Sequence, residues 1–182
     1  MIKIPGSTTI LLYQFNKKEK MMPDESIKMF TSSDLSDNKW ILEYFPETLC
    51  TKRWNNGSEL FYLIDKEGTP CSFVWSKNNT EHFFGEFNRK LIFPRKVNFL
   101  YDAITPVKYR GKGYYPTLLH KTSIVNNDYI SIGYAAPSNI ASNKGIVKAG
   151  FELTHKIFRV LNFVKITNLN NSGINFNARK AN

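Results

Sequence analysis

The alternation of apolar and polar positions divides the chain into an obscure stretch up to residue 58 and a legible remainder. In the first stretch a strand is expected over Ile10–Phe15, and Asp24–Met29 reads as the opening of a short helix. Trp40, Ile41, Tyr44 and Phe45 recur within Asp37–Phe45 at a spacing that predicts a helix lying on a sheet. Asn55-Asn56-Gly57-Ser58 is a turn signal. Beyond it, Glu59–Ile64 predicts a strand, Asp65–Gly68 a turn and Thr69–Ser76 the returning strand, with Lys77–Thr80 as its polar tip. Val97–Ile104 is a further strand, mostly apolar with Asp102 inside it, and ended by Pro106.

Gly113–Asn126 predicts a helix, with Tyr115, Leu118, Leu119 and Thr122 on one side. Pro116 is tolerated there because it falls in the first turn, where amide hydrogens lack intrahelical partners. Tyr129–Ala136 is a strand, and Ile140–Ala149 a short helix stopped by Gly150. One or two strands follow from Phe151 to about Ile166, and the Asn-rich tail Asn168–Asn182 is expected to fray at its end. Hairpin, strand, glycine-loop helix, strand, helix, strand predicts an α/β fold, a mixed sheet covered by helices. Without repeats or a linker, one domain over residues 1–182 is expected.

Composition adds a sign of charge more than a class. The chain has 182 residues, 42% apolar and 14% aromatic, enough for a core. Lys and Arg number 25 against 15 Asp and Glu, a formal charge of +10, which favours anionic partners without choosing among them. The apolar run Thr8–Tyr13 is too short to span a bilayer, so no transmembrane segment is expected. Two isolated cysteines, Cys50 and Cys71, make neither a metal pattern nor a disulfide framework and fit a cytoplasmic location. His82, His120 and His155 are scattered without zinc spacing, and no metal is expected. A serine nucleophile elbow is missing.

The candidate chemistry lies in Thr105-Pro106-Val107-Lys108-Tyr109-Arg110-Gly111-Lys112-Gly113-Tyr114-Tyr115-Pro116. A strand leads in and an amphipathic helix leads out. The helix start offers unpaired amides and the positive end of its dipole. Glycines let main chain approach an anion closely, and successive amides can cradle a phosphate. Lys108, Arg110 and Lys112 add charge. The spacing is neither a P-loop nor a dinucleotide fingerprint.

With Arg110, Gly113 and Tyr115, this loop resembles the signature of the GCN5-related N-acetyltransferase (GNAT) superfamily, Arg or Gln, two residues, Gly, one residue, Gly or Ala. Tyr115 departs from the pattern at its last position. A later segment, Asn139-Ile140-Ala141-Ser142 through Gly150-Phe151, resembles the family's second motif. Together the resemblances cover about residues 59–166 and imply a mixed, mostly antiparallel central sheet flanked by helices. They imply acetyl-CoA as acyl donor, its pyrophosphate on the amides of Gly111, Lys112, Gly113, Tyr114 and Tyr115. The strand Val97–Ile104 would splay from Tyr129–Ala136 to admit the acyl arm, with Ala103, Ile104 and Thr105 holding the pantetheine or polarising the thioester. Asn139 would touch the same arm, with Ser142 a weaker candidate. The tyrosine that protonates the departing thiolate in many members is replaced here by Ile146.

Acyl transfer to an amine needs a proton acceptor for the nucleophile and stabilisation of the developing oxyanion. Asp102 is the first candidate base or amine-positioning group, because a carboxylate in an apolar strand must be satisfied and burial would raise its pKa. Glu86, between aromatics before the central strand, is the second, and Tyr134 is the candidate substitute acid. Trp40, Trp54 and Trp75 fit an acceptor pocket or a core equally. The expected partners are acyl-CoA and a small amine; an amino sugar or sugar nucleotide, as in bacterial surface-polysaccharide synthesis, follows from family analogy alone. The chain could also pair as a homodimer. Two other classes remain: a non-catalytic acyl-CoA sensor, and a nucleic-acid-binding module using the basic and aromatic residues of Phe87–Lys96, which lacks a recognised nucleic-acid motif.

Overall fold

The computed structural model describes residues 7–15, 25–171 and 173–180. Among the described residues, nine strands and three α-helices follow one another. The strands are Ser7–Phe15 (β1), Ile27–Phe30 (β2), Glu59–Ile64 (β3), Pro70–Phe84 (β4), Arg89–Ile104 (β5), Ser131–Ala135 (β6), Glu152–Val160 (β7), Phe163–Asn168 (β8) and Asn177–Lys180 (β9). The helices are Glu47–Asn55 (α1), Tyr114–Val125 (α2) and Ile140–Lys148 (α3). One sheet runs β2-β3-β4-β5-β6-β1-β7-β8, with β9 added to β5. Its pairings are antiparallel apart from β5 with β6.

Period-two alternation assigns the two faces. On β1, Tyr13 and Phe15 join Leu118 and Leu119 of α2 and Ile146 of α3 in one core cluster. Ile10 and Leu12 point the other way, into Phe84, Phe87, Leu91, Phe93 and Phe176. The long outer half of the β4–β5 hairpin therefore folds over the β1 side of the sheet as a second layer. On that same face, Phe30, Ile41, Phe45, Leu60, Phe73 and Trp75 form a third cluster with Cys50 of α1. Phe87 and Phe93 are buried, so they offer no stacking platform for bases. No helix among the described residues is long and apolar enough to cross a membrane.

Four local expectations are corrected. Lys77–Thr80 is no tip: it continues β4, and the turn falls at Gly85–Asn88. Of its side chains Asn78 bonds inward. Asn78 Nδ2 donates to Asn126 Oδ1 at 3.0 Å, and just before it Ser76 Oγ donates to Asn98 Oδ1 at 2.6 Å. Asp24–Met29 is not a helix start; Ile27–Phe30 pairs with β3, and Asp24 lies outside the described residues. Over Asp37–Phe45 the helical stretch is a 3-10 turn, Lys39–Glu43. The tail does more than fray, because Phe176 is buried and β9 pairs with Arg89–Ile92. In the last three cases tertiary partners outweighed local preference.

Candidate functional site

The site begins where β5 leaves β6. The parallel register joins Asn98 to Ser131 and Phe99 to Ile132, and no pair is recorded beyond. A buried relay fixes this last contact: Asn98 accepts from Ser76 Oγ and its Nδ2 donates to Ser131 Oγ at 3.0 Å. All three residues are buried, and each amide or hydroxyl has a partner, as buried polar groups require. Immediately afterwards β5 carries a bulge. Trp75 faces Tyr101 and Phe73 faces Ile104, so Asp102 and Ala103 together oppose Val74. Asp102 adopts φ 46°, a left-handed conformation that Asp tolerates better than most residues. The extra residue bends β5 away and leaves a cleft of about 920 Å³ between the separated strands.

The glycine loop closes one end of this cleft. Gly111 and Gly113 have φ 77° and 85°, and Gly113 is the N-cap of α2. The Arg110 amide bonds the Val107 carbonyl and the Thr117 amide bonds the Gly113 carbonyl. Between them, the amides of 111–115 make no such main-chain bond among the described residues. Pro116 has no amide hydrogen to leave over. The donors expected to take a diphosphate are thus available, at a helix start. Arg110 itself bends back, its Nε donating to the Thr105 carbonyl at 3.0 Å, and so ties the loop to the end of β5.

Of the catalytic and cofactor-binding residues singled out from sequence, all but Lys112 line this cleft. These are Asp102, Glu86 and Tyr134, then Ala103, Ile104, Thr105, Arg110, Gly111, Gly113, Tyr114, Tyr115, Asn139 and Ser142. The Lys112 ammonium instead lies 5.7 Å from the centre of the Tyr109 ring, which Lys108 also approaches at 4.9 Å. Asn139 caps α3, its Oδ1 accepting from the Ser142 amide at 3.1 Å. Tyr115 neither blocks the cleft nor leaves it: its ring lies flat on α3, with its hydroxyl 3.0 Å from Ser142 Oγ. A Cβ at Gly145 would sit 2.4 Å from Tyr115 Cδ1, so the glycine makes room for the departure from the signature.

At the other end the cleft is acidic and aromatic. Asp102 is not buried as expected; its side chain is 53% exposed and pairs with Arg53 of α1. The Arg53 guanidinium lies over Trp75 at 5.0 Å and Tyr101 at 5.1 Å. Trp75 is accordingly a core residue, with Trp54 packed on it at 5.8 Å, and none of the three tryptophans lines the cleft. Burial, then the charges of Glu86 and Asp102, pushes the Tyr134 phenol far above its ordinary range. Its ring stands 4.5 Å from Phe84 and 6.1 Å from His82.

His82 is stacked 4.6 Å from Phe99, and burial, followed by the charge of Lys77, lowers its pKa from 6.5 to about 4. It is neutral at pH 7. Between pH 6.5 and about 4 the unfolded chain takes up a proton that the folded ring refuses, so stability falls as pH falls. We expect this to cost on the order of 3 kcal/mol across that window. In thermal melts from pH 7 to 4, His82→Phe should lose less stability than the wild-type chain; identical slopes would contradict a neutral His82. His155 is also buried and held low, while His120 Nδ1 donates to the Ala149 carbonyl, 3.1 Å away. Neither histidine lines the cleft. Among the described residues no His, Cys, Asp and Glu cluster could hold a metal.

Several residues in or beside the cleft escaped the sequence. Lys144 and Lys148 stand one helical turn apart on α3 and line the glycine-loop side, a spacing that was readable. Gly145 had a signal only in retrospect of Tyr115. Arg53 had none, since its partner lies 49 residues away.

A parallel pair that splays beside a bulge, with a glycine loop and helix start facing the gap, defines the GNAT fold. Among solved structures the chain is similar to a GNAT-family protein from Novosphingobium aromaticivorans, with 12% identity and a TM-score of 0.56 over 87% of this chain and 67% of that one. It is also similar to a GNAT-family acetyltransferase from Colwellia psychrerythraea, with 20% identity and a TM-score of 0.55 over 83% and 55% of the two chains. A third is an aminoglycoside antibiotic 6'-N-acetyltransferase from Acinetobacter baumannii, with 19% identity and a TM-score of 0.50 over 76% and 96%. The chain thus spans little more than half of the Colwellia protein and two thirds of the Novosphingobium one. No protein-family model and no curated protein matches it.

Proposed function

We propose that the chain transfers an acetyl group from acetyl-CoA to a primary amine, by direct attack within a ternary complex. The observation that carries this reading is the single cleft that joins free loop amides to the splayed end of β5. The diphosphate of acetyl-CoA would lie on the amides of 111–115, with Lys144 and Lys148 adding charge. Its arm would run along Ala103–Thr105 and place the thioester beside Tyr134. Holding both substrates there supplies much of the rate. The amine nitrogen attacks the thioester carbon, the carbon–sulfur bond breaks, and the nitrogen's proton passes to Asp102 or Glu86, directly or through water.

Ile146 packs in the core where many family members carry their acid. Tyr134 keeps its proton, and a phenol held that high is a poor acid for a thiolate whose own pKa is about 8.5. It serves better as a hydrogen-bond donor to the departing sulfur. Glu86 and Asp102 at the acceptor end favour a cationic amine such as a free amino sugar. A sugar nucleotide would bring its own diphosphate against these carboxylates.

Release of thiol from acetyl-CoA, screened against amino sugars, sugar nucleotides, small amines and peptides, tests the proposal. Turnover is expected with cationic amines. Acetyl-CoA binding without turnover of any amine would favour the sensor, the reading that Ile146 supports. In a folded Asp102→Asn variant, turnover should fall about 100-fold with little change in acetyl-CoA affinity. A full rate with the true acceptor removes Asp102 from the chemistry.

A further inference from the structure

A second concavity, of about 630 Å³, lies beside the start of β5 and shares no lining residue with the acetyl-CoA cleft. Arg89 heads its lining and is only 7% exposed. Its Nη1 donates to the Asn88 carbonyl at 2.9 Å and its Nη2 to the Asn162 carbonyl at 3.1 Å. Neither partner is charged. The ion pairs among the described residues are Arg53–Asp102 and Lys90–Glu81, so none of the described carboxylates neutralises Arg89. Withdrawing a guanidinium from water without an anion costs several kcal/mol, and two carbonyl dipoles offset part of it.

The strand pairing sharpens the imbalance. β9 sets Lys180 directly opposite Arg89. Like charges facing each other across an antiparallel pair repel. Both residues line the concavity, together with the polar Asn168, Asn175 and Asn177, and among the described residues no Asp or Glu lines it. His155 adds no charge, because burial keeps it neutral. The segment leading to β9 is held close: a Cβ on Gly173 would meet the His155 ring at 2.6 Å. Main-chain pairing therefore sets the two residues opposite each other on the sheet.

We propose that this concavity binds a small oxyanion, the carboxylate or phosphate of a compact molecule, bridged by Arg89 and Lys180. Beyond its two carbonyl bonds the guanidinium keeps its Nε–H and one N–H on each Nη as donors, and Lys180 adds a point charge from the rim.

The test is a two-dimensional amide NMR titration of the full chain at low ionic strength, with inorganic phosphate in one series and succinate in another. Saturable shifts are expected at Asn162, Val164 and 177–180 in at least one series, and the series that saturates names the source of the oxyanion. Arg89→Gln should weaken that binding at least about tenfold, and Lys180→Ser about threefold. Should Arg89→Gln fail to fold, Lys180→Ser decides, since that side chain is exposed at a strand end. No saturation in either series, shifts confined to 111–115, or unchanged affinity in the folded variants would overturn the proposal.

Discussion

Gly113→Val is expected to lower acetyl-CoA affinity at least about tenfold in a chain that still folds, because about 1.4 kcal/mol of loop strain suffices for that factor. Gly113 sits at φ 85°, and an added Cβ would meet nothing within 4 Å. The penalty is therefore one of backbone conformation and not of packing. A non-glycine residue pays roughly 1–2 kcal/mol in the left-handed region, and a β-branched one more. The loop can escape that strain by flipping to negative φ, which turns the amides of 113 and 114 away from the cleft. Asn tolerates the conformation, so Gly113→Asn should lose much less. Calorimetric titration of both folded variants with acetyl-CoA measures the difference. Equal affinity in wild-type and valine chains would remove the loop from diphosphate binding.

Gly145→Ala should destabilise the chain by roughly 1–3 kcal/mol, the cost of overpacking a tight contact. In an ordinary helix the same change stabilises by up to about 1 kcal/mol, so the sign itself is diagnostic. The added Cβ would come 2.4 Å from Cδ1 and 2.6 Å from Cε1 of Tyr115. That ring is confined between α2 and α3 and anchored at Ser142, so α3 must shift and carry Asn139 and Ser142 with it. Weaker acetyl-CoA binding should accompany the lower melting temperature. In a Tyr115→Ala background the clash disappears and Gly145→Ala should become neutral or stabilising. A double-mutant cycle reads the coupling; a rise in melting temperature in the wild-type background would show that the ring does not lie on Gly145.

These two glycines mark how far sequence could go. Gly113 was legible as a phosphate-loop position because its neighbours in the chain explain it. Gly145 was not, because its reason is an aromatic ring 30 residues earlier, brought over it by the packing of α2 on α3. The same contrast runs through the strands. Glu59–Ile64 shows its periodicity on its own, whereas Lys77–Thr80 is polar enough to read as a tip until its pairing with β5 and the Asn78–Asn126 hydrogen bond are seen. Asp102 stood out as an acid in an apolar strand. Its bulge, its exposure and its pairing with Arg53 did not, since each depends on β4 or α1.

By itself the sequence determined the mixed α/β class, the glycine loop, a helix opening at Gly113, within one residue of the observed Tyr114, and the helix start at Ile140. Those features arise from dihedral limits and unpaired amides of contiguous residues. Only the tertiary structure decided that β5 parts from β6 after Phe99, that the acids and Tyr134 share a cleft with the loop, and that Arg89 faces Lys180. Those outcomes depend on which distant strands pair and in what register, and a one-residue slip would reverse every side chain involved.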